Sequence, residues 1–486
     1  MSTTRRGSAS TNKPVIVIEL ERHYNTKIYT SGSAIFGNAV ITTTRDMAFD
    51  SFEIILTGTS YTRLDFVQQF PTHSARTFLK LRMPIPASHM PEDNTFEGGH
   101  TYVIPFHFVV PHQLTIGACH HKCTNDVLRA QHLRLPPTLG AWSGDDQAPE
   151  MASIEYAIKA RALKKQATGN TLLRLMEASR TLKVLPSLPE DAPLAITTQD
   201  ERYCLSKSKT IRKNLLTAKT GKFSATASQP SAVMFSTDGH SMSSSSAHVK
   251  LAFTPASSEI GPPKINSLSG KLQSVTFFSA GAVNRFPDLG TRANWTAAPS
   301  LSYSATSSLF SKTIDAPSWE QHNSPNLRRD SGYSSLGVDE TTSDTDHEAG
   351  RGRRGSKAKK SRISSINYTT TVDIPFTIPN DNQRFFVPTF HSCIVSRTYT
   401  LQLNMSVGQS NTSLTLYVPL QIGVENSPEN LEAELPSFEA AMAQAEEESA
   451  AGHLQPRRLQ MPSLELQGGS ELPGYYDMRT IPISVS

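Results

Sequence analysis

The strict two-residue alternation in Gly98–Pro111, GGHTYVIPFHFVVP, limits the fold of this chain more than any other stretch. Tyr102, Ile104, Phe106, Phe108 and Val110 fall on one face of a strand as a continuous apolar row. The other face carries Val103, Pro105, His107, Val109 and Pro111 and is mixed. Pro105 has no N–H to give to a sheet ladder, so the strand is expected at a sheet edge or with a bulge there. A row this aromatic needs a second sheet to cover it, which predicts a sandwich core. The two glycines before the run and the proline within it argue against a buried helix.

Other runs of the same kind surround it. Pro14–Leu20, Lys27–Tyr29, Ala34–Thr44, Phe49–Asp65, Phe78–Met83 and Ser153–Leu163 are short, β-branched or alternating, and broken by Gly and Pro. Gly37 lies inside one of them, where a bulge or a close backbone approach is expected. Seven or so such strands with no convincing helix describe an antiparallel sandwich over residues 14–165. In NTLLRLMEASRTL the period changes: Leu172, Leu173, Met176 and Ser179 stand at helical spacing, with Asn170 or Thr171 as a cap. Residues 166–202 are therefore expected to be a connector holding a short helix.

Strand patterns resume at Tyr203 and run to Phe278, then return at Tyr368–Ile378, Arg397–Val407 and Ser413–Val424. They predict a second sandwich built from residues 203–280 and 367–425. Residues 281–366 are rich in Ser, Arg, Asp and Gly. With few apolar side chains to bury, they cannot offset an ordering entropy of roughly 1–2 kcal/mol per residue and are expected to be a disordered insert. The 1–13 segment and the acidic 426–486 tail are read in the same way, with a marginal helix over Pro436–Ala451. An apolar fraction of 37 % over 486 residues fits ordered domains interrupted by such segments.

The sequence features exclude several functions. There is no G-x-S-x-G, no G-x4-G-K-[ST] and no G-x-G-x-x-G after a strand, so the chain is not read as an enzyme and no cofactor is expected. No run reaches the roughly 20 apolar residues of a membrane span, and Ser2 removes the glycine needed for myristoylation. Four cysteines are too few and too irregular for a disulfide framework. The loop HQLTIGACHHKC crowds Cys119, His120, His121 and Cys123, which are zinc-ligand types. It lacks the usual second ligand pair at a distance, and adjacent histidines cannot easily face one ion, so a solvent-exposed loop and no metal are expected. A basic patch from Arg351 to Arg362 admits nuclear import or weak contact with anionic lipid. No aromatic is interleaved with it, so no nucleic-acid partner is expected.

Four features occur in order in the first half: the aromatic strand with Tyr102, Pro105, Phe106, Phe108 and Pro111, then HLRLPPTLG, then an acidic, proline-bearing loop, then IEYAIKA at Ile154–Ala160. Together they resemble the N-terminal domain of the arrestin fold, most closely that of the fungal arrestin-related trafficking adaptors (α-arrestin type). TYTLQLNMSV followed by LTLYVPLQIGV, ending Val418, Pro419, Leu420, Ile422, resembles the close of the arrestin C-terminal domain. The resemblance implies a mostly β chain of two arrestin-like, immunoglobulin-like antiparallel β-sandwich domains in tandem. The polar-core arginine and phosphate-sensing lysine pair of visual and β-arrestins are not located in the sequence, so nothing of receptor phosphate sensing is carried over.

Near the end, Leu472-Pro473-Gly474-Tyr475 fits L-P-x-Y, a variant of the P-P-x-Y ligand of WW domains. Pro473 presets an extended polyproline-II shape for an aromatic-lined groove, Tyr475 fills a second pocket, and Met478 can add an apolar contact. The resemblance implies recruitment of a HECT-type ubiquitin ligase of the Nedd4 class to membrane transporters or receptors, which are then ubiquitinated and endocytosed. It also implies a cytoplasmic protein recruited peripherally to the plasma membrane and endosomes. R-R-x-S occurs three times and marks Ser8, Ser331 and Ser356 as phosphosites, with 14-3-3-type proteins as readers. Lys159, Lys164 and Lys165 are candidate ubiquitin acceptors. The alternative is an arrestin-fold sorting scaffold that works without ubiquitin.

Overall fold

The computed structural model describes residues 14–65, 71–166, 171–213, 219–291, 298–313, 317–324, 365–379 and 383–426. The first sandwich contains β1 (Val15–Leu20), β2 (Ile28–Tyr29), β3 (Ala34–Thr42), β4 (Met47–Ala48) and β5 (Ser51–Leu64). It continues with β6 (Thr72–Arg82), β7 (Thr95–Phe96), β8 (Thr101–Val109), α1 (Asp126–His132), β9 (Ala152–Lys165) and β10 (Leu172–Val184). One sheet has the order β1-β3-β8, the other β2-β10-β9-β5-β6. Ile104, Phe106 and Phe108 share one buried core with Ile54, Leu56, Ile154, Tyr156 and Ile158. The aromatic row and the IEYAIKA strand thus close on each other, as their alternation requires.

β8 is an edge strand, which leaves the missing N–H of Pro105 without a ladder partner to starve. Gly37 is a close-approach position. A Cβ there would collide with the Glu19 carbonyl oxygen and the Phe106 ring, so the aromatic row depends on its absence. β5 is buried on both faces. Its one buried carboxylate, Glu53, is accommodated by contacts with Arg161 and Arg82.

The expected connector helix is instead the strand β10, antiparallel to β9 and parallel to β2. The ladder slips between Arg174 and Met176, so a bulge throws the alternation out of phase. Leu172 and Leu173 lie before the bulge and are exposed, whereas Met176, Leu182 and Val184 beyond it are buried. The phase break imitated a helical period, and pairing with β9 overrode the propensity of the segment. A helix does form at Asp126–His132, where none was expected. The Asn125 side chain accepts from the Leu128 N–H at 2.8 Å and caps its first turn.

The second sandwich holds β11 (Ser206–Arg212), β12 (Lys219–Ala227), β13 (Val233–Phe235), β14 (Ser245–Pro255), β15 (Ile265–Ser279) and β16 (Ser300–Lys312). After these come β17 (Glu320–Ser324), β18 (Ser365–Phe376), β19 (Phe390–His391), β20 (Val395–Val407), β21 (Thr412–Leu420) and β22 (Ile422–Val424). The sheet β11-β12-β14-β18-β17 faces the sheet β16-β15-β20-β19, with β21 also on β20. Phe223, Leu251 and Phe253 from the first meet Leu401, Leu403, Leu416 and Val418 from the second.

Part of the expected disordered insert is therefore strand. β16 pairs with β15 over its length, and β17 pairs with β18. β16 (SLSYSATSSLFSK) is polar because it is an edge strand with a largely exposed surface. Its backbone ladder to β15 and the seating of Phe310 over Gly270 hold it without a run of apolar residues. Residues 325–364, with the basic patch, lie outside the described residues, as do the 1–13 and 427–486 segments.

Truncating the buried row should be felt far more than truncating the face opposite. Phe106→Ala is expected to cost about 3–5 kcal/mol. Val103→Ala, at a half-exposed position, should stay within about 0.5 kcal/mol. Urea denaturation midpoints of the two variants check this; equal shifts would contradict the placement of β8.

Candidate functional site at the joint between the sandwiches

The two sandwiches belong to one compact unit, and the acidic loop between α1 and β9 provides much of its joint. Gly140–Pro149 leaves the first sandwich and enters the second. The Asp145 N–H donates to the Gln383 carbonyl at 2.7 Å, and the Phe385 N–H donates back to the Asp145 carbonyl at 3.0 Å. Trp142 stacks on Phe385 with ring centroids 3.9 Å apart, and its indole N–H donates to the Thr138 carbonyl at 2.7 Å. Asp146 folds the loop on itself. Its carboxylate accepts from the Gly140 N–H at 2.6 Å and the Ala148 N–H at 3.1 Å.

Arg397 of β20 reaches this loop from the other side. It is fully buried, which is costly for a guanidinium unless its donors are met. Its Nε donates to Thr276 Oγ1 at 2.9 Å, and its two terminal nitrogens donate to the Asp146 and Gln147 carbonyls, each at 3.1 Å. The Gln147 side chain completes the seam, accepting from the Ser274 hydroxyl at 2.7 Å and donating to Ser307 Oγ at 3.1 Å. Gln147 has φ of 55°, a left-handed backbone that these contacts hold in place. Burial lifts the Asp146 carboxyl above the usual carboxylate range, although the Gly140 and Ala148 N–H groups and the Arg397 charge pull the other way.

The 185–205 strap crosses the same joint. Asp191 pairs with Arg134 at 2.7 Å, its N–H donates to Gln421 Oε1 at 2.8 Å, and the Leu188 and Val424 backbones form a bridge. Beside it is a cavity of about 280 Å³ whose lining includes Gln131, Asp191, Tyr203, Asp288, His391 and Tyr399.

The Cys/His loop is also part of the joint, which corrects its reading as a solvent-exposed loop. Cys119 is buried, and Cys123 and His121 are half-buried. His120, the neighbour of His121, is exposed. His132 at the end of α1 and Cys393 before β20 supply the distant donors that the local spacing lacked. One ligand atom from each of Cys119, His121, His132 and Cys393 lies within 4.8 Å of the others. Burial drives the His132 imidazole down to about 3, helped by the His121 and His391 rings and Arg76. Burial and the neighbouring Cys119 thiol push Cys123 up to about 11; burial leads in raising Cys393 to about 12.

The residues singled out from sequence for recognition are not brought together here. Leu472, Pro473, Tyr475, Met478, Ser8, Ser331 and Ser356 lie outside the described residues. Lys164 and Lys165 are exposed at the end of β9, while Lys159 is half-buried within it. Arg397 was missed, yet it left a signal. It stands in register with Tyr399, Leu401, Leu403, Met405 and Val407, a cation on an otherwise apolar row. Cys393 gave none, because nothing local ties it to the loop some 270 residues earlier.

Two β-sandwiches in tandem, locked by a loop of the first and a strap between them, define an arrestin-like protein. Residues 302–425 match the family model for the Bul1 C terminus. That match fits an arrestin-like protein related to the Bul1 type, a family of trafficking adaptors that is in general non-enzymatic. The match spans β16 to β22 and includes Arg397 and Cys393. No curated protein matches the chain.

Replacing Arg397 with Met leaves Thr276 Oγ1 and two main-chain carbonyls dry, at roughly 1–3 kcal/mol each. A markedly lower denaturation midpoint and faster amide exchange over residues 140–150 are expected. Arg397→Lys should rescue little, because a single ammonium cannot span three acceptors in the geometry of the guanidinium fork.

Proposed function

We propose that this protein is an adaptor that holds a WW-domain ubiquitin ligase of the HECT type beside a membrane transporter or receptor. The observation that carries the reading is the L-P-x-Y sequence, Leu472, Pro473 and Tyr475, on a chain whose residues 302–425 match the Bul1 C terminus. The Bul1 family is linked in general to a ubiquitin-ligase adaptor role. The two sandwiches supply a body for cargo, and the motif supplies a ligand for the ligase. Tethering raises the effective concentration of ligase at the cargo, so one short motif of modest affinity is sufficient. The ligase then transfers ubiquitin to cargo lysines and the cargo is internalised. Exposed Lys164 and Lys165, with Lys159, are acceptors for modification of the adaptor itself.

The protein works in the cytoplasm and meets the plasma membrane and endosomes through its cargo; among the described residues no helix is long and apolar enough to cross a membrane. Phosphorylation at Ser8, Ser331 and Ser356 adds about −1.5 to −2 charge at each site beside two arginines, which creates sites for 14-3-3-type proteins.

Binding of the full chain to isolated WW domains, with and without Tyr475→Ala, tests the reading. A loss of at least tenfold in affinity is expected, because removing the tyrosine empties the second pocket. A wild-type chain that fails to bind WW domains would falsify ligase recruitment and leave a ubiquitin-independent sorting scaffold. Separately, the Ser331→Ala/Ser356→Ala double variant should lose most capture by 14-3-3 after treatment with a basophilic kinase; unchanged capture would remove these serines from the switch.

A further inference from the structure

We propose that Cys119, His121, His132 and Cys393 form a structural zinc site that clips the loop–α1 segment of the first sandwich to the second. Cys119 and His121 come from the loop after β8, His132 closes α1, and Cys393 lies between β19 and β20. The site therefore exists only when both sandwiches are folded and joined.

The distances fit one small tetrahedral ion. Zinc at about 2.3 Å from sulfur and about 2.0–2.1 Å from nitrogen places neighbouring sulfur and nitrogen ligands roughly 3.6 Å apart. Cys119 Sγ lies 3.6 Å from His121 Nδ1 and 3.7 Å from His132 Nδ1. All four ligand atoms fall within 4.8 Å of one another, so coordination needs only a small inward movement. Two thiolates and two imidazoles form a set that suits zinc and leaves no open position.

The surroundings point the same way. Cys119, His132 and Cys393 are 1 %, 2 % and 5 % exposed. His132 Nε2 has no hydrogen-bond partner, and Nδ1 faces only the Cys119 and Cys123 sulfurs, at 3.7 and 3.6 Å. A cation at this place would take up the Nδ1 lone pair, which thiols satisfy only weakly, with the ring proton then carried on Nε2. His121 Nε2 donates to the Val283 carbonyl at 3.0 Å, which leaves Nδ1 as the lone-pair nitrogen; Cys119 Sγ lies 3.6 Å from Nδ1 and 3.8 Å from Nε2, so a small turn of the ring would bring Nδ1 to a shared ion. Val283 is itself tied to Cys393 by its N–H, at 2.8 Å to the Cys393 carbonyl, and the Thr124 N–H donates to the Asn284 carbonyl at 2.8 Å. The backbone around the ligands is thus already cross-linked between the sandwiches.

Cys123 stands against three of the four, its sulfur 3.6 Å from His132 Nδ1, 3.8 Å from His121 Nε2 and 3.9 Å from Cys119 Sγ. It is outside the mutually close set, and we assign it a neighbouring rather than a ligating role.

Full chain purified under reducing conditions from zinc-supplemented medium, without chelator, tests the site by elemental analysis. About one zinc per chain is expected, falling at least tenfold in Cys119→Ser and in Cys393→Ser and unchanged in Cys204→Ser, whose thiol lies elsewhere. To separate lost metal from lost folding, cobalt(II) is titrated into chelator-stripped wild-type chain. Thiolate-to-cobalt charge-transfer bands and a raised thermal midpoint support the site. Wild-type chain with no more zinc than Cys119→Ser, and no cobalt bands, overturns it. So does a Cys119–Cys393 or Cys119–Cys123 disulfide in reduced, metal-replete chain. Retention of zinc in Cys393→Ser but not in Cys123→Ser overturns the ligand assignment that joins the two sandwiches.

Discussion

The guanidinium of Arg397 holds the joint on which the relation of the two sandwiches depends. It is buried and aimed at main-chain carbonyls of a loop about 250 residues away in sequence, and among the described residues it makes no salt bridge. A carbonyl acceptor depends on the local backbone path, so the arginine fixes how residues 146 and 147 run, beyond where they lie. The loop must enter the second sandwich in one conformation, and Gln147 accepts a left-handed φ to do so. A buried charge satisfied this way selects one loop conformation, because a poorly placed loop would leave it unpaired in a dry site.

The same logic extends outward. Trp142 on Phe385, Asp191 on Arg134 and the Cys/His cluster are three further contacts between segments distant in sequence. Each binds a loop or strap of the first sandwich or the linker to an element at or beyond the linker, or across it. The core around Phe106, Tyr156 and Ile158 also takes in Phe278, Phe390, Ile394 and Val395 from the second half of the chain, while a second core gathers Phe253, Leu401 and Leu416. Apolar burial thus contributes at the joint as well as within each sandwich, and directional polar contacts such as those of Arg397 set the path of the joining loop.

Where the sequence misled, the cause was local. The bulge at Arg174–Met176 shifted the alternation of β10 by one residue and produced a false helical spacing. β16 hid because an edge strand can be mostly Ser and Thr when its neighbour supplies the ladder. The short helix at Asp126–His132 was marked by Asn125, but seven residues carry too little periodicity to be read with certainty.

Alternation of side chains over Tyr102–Val110 and Ile154–Ala160 determined, from sequence alone, that these strands each have one face to bury and must find opposing sheets. The same holds for Arg397–Val407 and Ser413–Val424 in the second half. Strand period is set by the backbone, so it survives in a string of letters. Tertiary structure alone decided which loops would meet. That Cys393 joins Cys119, His121 and His132, and that Arg397 finds Asp146 and Gln147, depends on chain paths closed across some 250 residues or more, for which no local pattern exists.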